Sequence, residues 1–227
     1  MSSLAAPRSL GHRVVATFLA PRALFEEIRE SAPWAGPLAI SVAVGILVLL
    51  LLPDEVFVAQ AQEAARLSRK GEVTLTSDPG TIAFFERVRI ATGMLVVRPI
   101  LAFLMAGLLA LVFSGLLRGR GEYRQYLSVT THALLITALG TLAALPLQIV
   151  RGDAHARLSL ALLAPALEPG SLAQRVLQAL DPFTLWMMLI AALGVSVVNG
   201  SRSPARAAVV LIGGYLAVVL VLAALGP

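Results

Sequence analysis

Cysteine is absent from this chain. No disulfide framework, thiolate nucleophile or cysteine metal site can be built from it, and no redox compartment can be read from it. Charge is scarce as well: only 14% of residues are charged, and they gather in the gaps between apolar runs. The three histidines, His12, His132 and His155, lie far apart in the sequence, whereas a metal centre needs three or four ligands. The enzyme motifs HExxH, GxxxxGK[ST] and GxSxG are all missing. The expectation is therefore a protein with no catalytic residue, no metal and no cofactor.

Apolar length is what the sequence does supply. The 227 residues are 58% hydrophobic, against ~45–50% in an ordinary soluble domain. Five apolar stretches run over Trp34–Leu52, Met94–Leu117, Tyr126–Val150, Pro182–Val198 and Ala207–Leu225. A hydrocarbon core ~30 Å thick takes ~20 helical residues to cross. Lipid offers backbone N–H and C=O groups no other partner, so each crossing must be helical. The fold class expected is all-α: a polytopic membrane helical bundle of five transmembrane helices with additional interfacial amphipathic helices. Residues 1–33 read as an inner-face amphipathic segment and residues 34–227 as the five-span domain.

The net charge of +5 is spread in small groups beside the apolar runs, without a basic stripe. That pattern argues against nucleic acid and for anionic lipid headgroups. No short apolar core of a signal peptide sits near Met1, so the first span is expected to direct insertion. With five crossings, the N-terminal tail and the second and fourth loops share a side. Those short segments hold nine basic residues against four acids, while the longer first and third loops hold eight against nine. Basic density near the span ends places the N-terminus inside and the C-terminus outside. The loop RGRGEYR (residues 118–124) is the clearest marker.

Residues 9–30 read as two short surface helices. Phe18, Phe25 and Ile28 supply apolar faces, Pro21 suits a first helical turn, and Trp34 suits a headgroup-level anchor. The first external loop is expected to hold a helix from Asp54 to Lys70, stopped at Gly71, and Ser77-Asp78-Pro79 to start the next. Ser171 is expected to cap an amphipathic helix, and Asp181-Pro182 to open the fourth span.

Polar groups inside hydrocarbon are the candidate functional residues. Arg98 can snorkel or pair with Asp181. His132 reads as a hydrogen-bonded packing histidine, since a proton relay would need further acids or histidines at mid-depth. Asn199 and the glycines Gly194, Gly213 and Gly214 fit close helix packing with interhelical hydrogen bonds. In an alternative arrangement, Arg98, His132 and Asn199 line a transport path for a small or lipid-like substrate.

Pro21, Phe25, Ile28, Trp34 and Pro37 form P-x3-F-x2-I-x5-W-x2-P ahead of the first span. This resembles the opening of bacterial members of the Yip family, membrane proteins related to the Ypt/Rab-GTPase-interacting proteins of eukaryotes. GEYRQYLSV, from Gly121 to Val129, is similar to the family's basic-aromatic approach to the third span. Asp181, Phe183, Trp186 and Gly194 resemble its fourth span, and Ser203 and Arg206 the turn into the fifth. The likeness runs from about Pro21 onward. It implies five helices with an inner N-terminus and an outer C-terminus and, for the eukaryotic relatives, roles in vesicle traffic and membrane shaping. The expectation for this chain is a bacterial inner-membrane protein with a membrane-organising or trafficking-like role, whose partners are membrane lipids, a second copy or other membrane proteins. Glu26-Glu27 resembles the paired glutamates of membrane CAAX-type proteases, but Ser31 stands where those carry arginine, and the pair reads as a solvated helix face.

Overall fold

The computed structural model describes residues 9–67, 78–168, 170–200 and 203–225. Among the described residues every regular element is helical. Helix α1 spans Leu10–Leu19 and starts at Ser9, whose Oγ accepts the His12 N–H. Helix α2 spans Pro21–Ile28, with proline in the first turn where a missing N–H costs nothing. Helix α3 spans Ala35–Leu51. After Pro53 the chain bends by 93° into α4, Asp54–Leu67. Asp54 and Glu55 stand at the positive end of α4 and Arg66 near its negative end. The expected end of this helix at Lys70 and Gly71 lies outside the described residues.

Helix α5 spans Pro79–Leu109, with Asp78 Oδ2 accepting the Thr81 N–H at its start. The helix therefore begins fifteen residues before the apolar run expected from Met94, and it carries Pro99 internally. It widens at its end into a π-helix, Ala110–Leu116. Helix α6 spans Tyr123–Ala143. The single span expected from Tyr126 to Val150 is corrected here: it breaks at Ala144, and Pro146 sits in the first turn of a separate helix α7, Leu145–Arg151. A proline inside a continuous helix would remove a backbone bond and press on the preceding turn. A short 3₁₀ turn, Leu160–Leu163, leads to α8, Leu172–Ala179, capped by Ser171 as expected. Helix α9 spans Pro182–Val198, with Asp181 Oδ1 accepting the Phe183 N–H at 2.8 Å. Helix α10 spans Pro204–Leu225.

Among the described residues, three helical stretches are long and apolar enough to cross a bilayer: Pro79–Leu116, Tyr123–Ala143 and Pro204–Leu225. The count reaches five if the bent pairs α3 with α4 and α8 with α9 each form one crossing. Helices α3 and α9 have 17 residues each. At ~1.5 Å per residue such a helix covers ~25 Å, a little under the hydrocarbon thickness.

The chain divides into two compact units. The larger comprises Met1–Ser41, Ile100–Thr137 and Ser159–Pro227, and the smaller Val42–Pro99 and Ala138–Leu158. In the larger unit α2 packs on α9, α1 on α2, and α10 on both α9 and α8. Its core includes Leu24, Phe25, Phe113, Tyr126, Ile136 and Val195. In the smaller unit the core is Leu49, Leu52, Phe57 and Ala83. The outward surfaces of α5 and α10 are strongly apolar, with Leu95, Leu104, Leu108, Val209, Val218 and Leu222 exposed. Such surface is unfavourable in water and natural against lipid tails.

Candidate functional site

A connected polar arrangement of the larger unit lies where the turn between the π-helix and α6 meets the end of α9. Asn199 is its centre. The Asn199 Oδ1 accepts the Gly121 backbone N–H at 3.1 Å and the Tyr126 hydroxyl at 3.0 Å. Its Nδ2 donates to the Val195 carbonyl one turn back, at 2.8 Å. Two donors converging on one atom and an acceptor facing the other fix the orientation of the amide. The Ser114 hydroxyl donates to the Gly121 carbonyl at 2.7 Å and lies 2.9 Å from the Tyr126 oxygen. Two hydroxyl protons thus serve three links. The Ser114–Tyr126 contact is a bond only while one of the other two is released.

The chain is built locally to allow this. The π-helix brings Ser114 round to face Tyr126. The Leu117 N–H donates to the Val112 carbonyl, and the Gly119 N–H donates to the Phe113 carbonyl at 2.7 Å. Arg118 closes the turn in the left-handed region, at φ 53°. The neighbouring glycines are required by close approach. A Cβ on Gly121 would lie 2.6 Å from both the Tyr126 oxygen and Val198 Cγ1. One on Gly119 would meet Asn199 Oδ1 and, at 2.5 Å, the Phe113 carbonyl. Gln125 then ties the start of α6 in two directions. Its Oε1 accepts the Glu122 N–H at 2.9 Å, and its Nε2 donates to the Arg29 carbonyl at 2.8 Å. The Ser128 hydroxyl adds a bond to the Pro33 carbonyl.

The residues singled out from the sequence are spread over several environments. Phe25 and Ile28 are 1% and 3% exposed. Their expected role as lipid-facing anchors is corrected: α2 turns this face into the protein core, where the Phe25 ring meets His132 edge-on. Phe18 is half-buried against the Trp186 ring at 6.0 Å, and Trp34 against Phe103 at 5.4 Å. The exposed apolar side chains of α1 are Val15 and Leu19. Gly194 is a close-packing glycine: a Cβ there would lie 2.7 Å from Val129 Cγ1. Gly213 and Gly214 differ, since a Cβ on either meets no atom within 4 Å. The packing expected of them is therefore not made within the described residues.

His132 is fully buried, with Nδ1 at 2.8 Å from the Ser128 carbonyl and Nε2 without a partner among the described residues. Its hydrogen-bond acceptor, the Ser128 carbonyl, is not among the partners of Asn199. A shallow depression between α2, α6 and α9 has Phe25, Ile28, Gln125 and Val198 among its walls, and neither His132 nor Asn199 is one of them. Arg98 belongs to the smaller unit, where its guanidinium approaches Gly45 beside Met94. Asp181 belongs to the larger unit and serves as the α9 cap.

Sequence reasoning missed Arg87, which organises the smaller unit. Its guanidinium donates to Asp54 Oδ1 and to the Leu52 carbonyl, both at 2.6 Å, and lies 4.6 Å from the Phe57 ring centre. One planar cation thereby clamps the sharp corner between α3 and α4 against α5. Nothing local to Arg87 points to the Asp54 carboxylate, which stands thirty-three residues earlier in the chain. Tyr126 was missed for a related reason, because its partner Asn199 lies more than seventy residues away, and Ser114 because it meets Tyr126 only across the turn, twelve residues on.

Long lipid-compatible helices, surface helices docked on their ends and a polar tie at a turn between spans define a multi-pass helical membrane protein. The Yip1 domain family model matches residues 15–226, and the chain belongs to the Yip1 family. No curated protein and no solved structure matches it.

Proposed function

We propose that this protein acts without catalysis, organising membrane through helix association and through the surface helices at its N-terminal end. The observation that carries the reading is α1. It docks on the bundle while leaving Val15 and Leu19 outward at 54% and 80% exposure. An amphipathic helix held in that manner presses apolar side chains into one leaflet, and its docking fixes its depth. The uncovered Gly213–Gly214 surface of α10 is the association face in this reading, because small residues let two backbones approach. The N-terminus lies inside a bacterial inner membrane and the C-terminus outside, in keeping with the basic density of the short segments. A transport path would need Arg98, His132 and Asn199 to converge, and His132 and Asn199 have separate partners.

The test is reconstitution into liposomes. Self-association, read by energy transfer between labelled copies, should fall in Gly213→Leu/Gly214→Leu. Vesicle deformation should fall in Val15→Ser/Leu19→Ser. Monomeric protein that leaves vesicle shape unchanged would overturn the proposal.

A further inference from the structure

The turn over residues 117–122 holds its shape at a cost. Arg118 sits in the left-handed backbone region, which a side chain other than glycine occupies at a penalty and which asparagine tolerates better. Strain of this kind is informative when the surrounding structure enforces it. Here Asn199, Ser114 and the Gly119 N–H all hold the turn in place. Arg118, Arg120 and Arg124 stand exposed around it, and none of them takes part in an ion pair among the described residues. Directly before them, Leu116 and Leu117 are 71% and 57% exposed. The turn joins two helices long enough to cross the bilayer, so it lies at a membrane edge. Unpaired guanidiniums next to open leucines match a molecule with an anionic head and apolar tails.

We propose that this turn is a binding site for the phosphate headgroup of an anionic phospholipid. Arg118 and Arg120 take the phosphate, as guanidinium groups do well, and Leu116 and Leu117 lie along the acyl chains. An acidic peptide would use the arginines and leave the leucines unused. The proposal rests only on the chain being in a bilayer, not on the association proposed above.

The experiment uses the full chain in nanodiscs of phosphatidylcholine with a minor fraction of phosphatidylglycerol, and native mass spectrometry to count the lipids retained. Each basic residue near an anionic surface is worth about fivefold in partitioning. Arg118→Gln/Arg120→Gln should therefore lower the enrichment of retained phosphatidylglycerol about twentyfold. Arg151→Gln/Arg157→Gln removes the same charge elsewhere and should leave the enrichment unchanged. Tyr126→Phe keeps every charge but loosens the turn, and should lower enrichment about twofold. Leu116→Ser should lower it as well. Equal loss in the two arginine pairs, or wild-type enrichment in Tyr126→Phe, would reduce the effect to net charge and overturn the proposal. Displacement of the lipid by inorganic phosphate or by a polyglutamate peptide would overturn it too, assigning the turn to a free anion or to a protein partner.

Discussion

Replacing Asn199 by alanine tests the polar tie most directly. Three hydrogen bonds disappear together: from Gly121, from Tyr126 and to Val195. The Val195 carbonyl keeps its place in the helix, where the Asn199 N–H also bonds it, so that loss is small. Gly121 is partly accessible and can turn to water. Tyr126 is fully buried, and its hydroxyl retains only Ser114. Interhelical side-chain bonds in membrane proteins are worth ~0.6 kcal/mol on average and ~1.7 at most. An unsatisfied buried hydroxyl adds ~1 kcal/mol or more. We expect a loss of about 2 kcal/mol for Asn199→Ala, with Tyr126→Phe costing about half as much. Asn199→Asp keeps an acceptor for both donors and should retain most of the stability. Both tryptophans, Trp34 and Trp186, lie in the larger unit. Their fluorescence during denaturation in bicelles therefore follows the unit that matters. In a double-mutant cycle, Asn199→Ala and Tyr126→Phe should couple by ~0.5 kcal/mol or more. Strict additivity, or an Asn199→Asp variant as weak as Asn199→Ala, would refute the reasoning.

Other expectations follow from the same geometry. Gly121→Ala drives a Cβ into Tyr126 and Val198 and should cost ~1–3 kcal/mol in the same unfolding assay. Gly213→Ala fills open space, so the stability of the monomer should rise by up to ~1 kcal/mol. Gly194→Ala should destabilise through its contact with Val129, and Val129→Ala should restore part of the loss. Arg87→Lys cannot serve the Asp54 carboxylate, the Leu52 carbonyl and the Phe57 face together. Hydrogen exchange at the α3–α4 corner should accelerate about tenfold in that variant, equivalent to a loss of ~1.4 kcal/mol.

Most of the helical layout was legible because its causes are local. Ser171 before an amphipathic stretch, Asp181-Pro182 before an apolar one and Pro21 after Ala20 are start signals that neighbouring residues decide. The apolar run around Gln148 misled because hydropathy alone does not register Pro146. Phe25 and Ile28 misled for a different reason. An amphipathic helix has the same sequence pattern whether its apolar side meets lipid or protein, and only the core around Leu24 and Val195 decides which. Of the candidate site, Asn199 was picked out as a polar residue near the end of a span. Its partners were not, because a hydrogen bond across 73 residues leaves no periodic trace.

The widened turn over Ala110–Leu116 carries one residue more than an ordinary helix would need. Removing a single leucine there would let the segment relax to the common pitch and swing Ser114 by about 100°, one residue's rotation. The serine would then face away from Tyr126, and the basic turn would lose a tether without losing a single arginine. A homologue shortened by one position at this point would carry the same charges on a slack arm, while its hydropathy profile would hardly change.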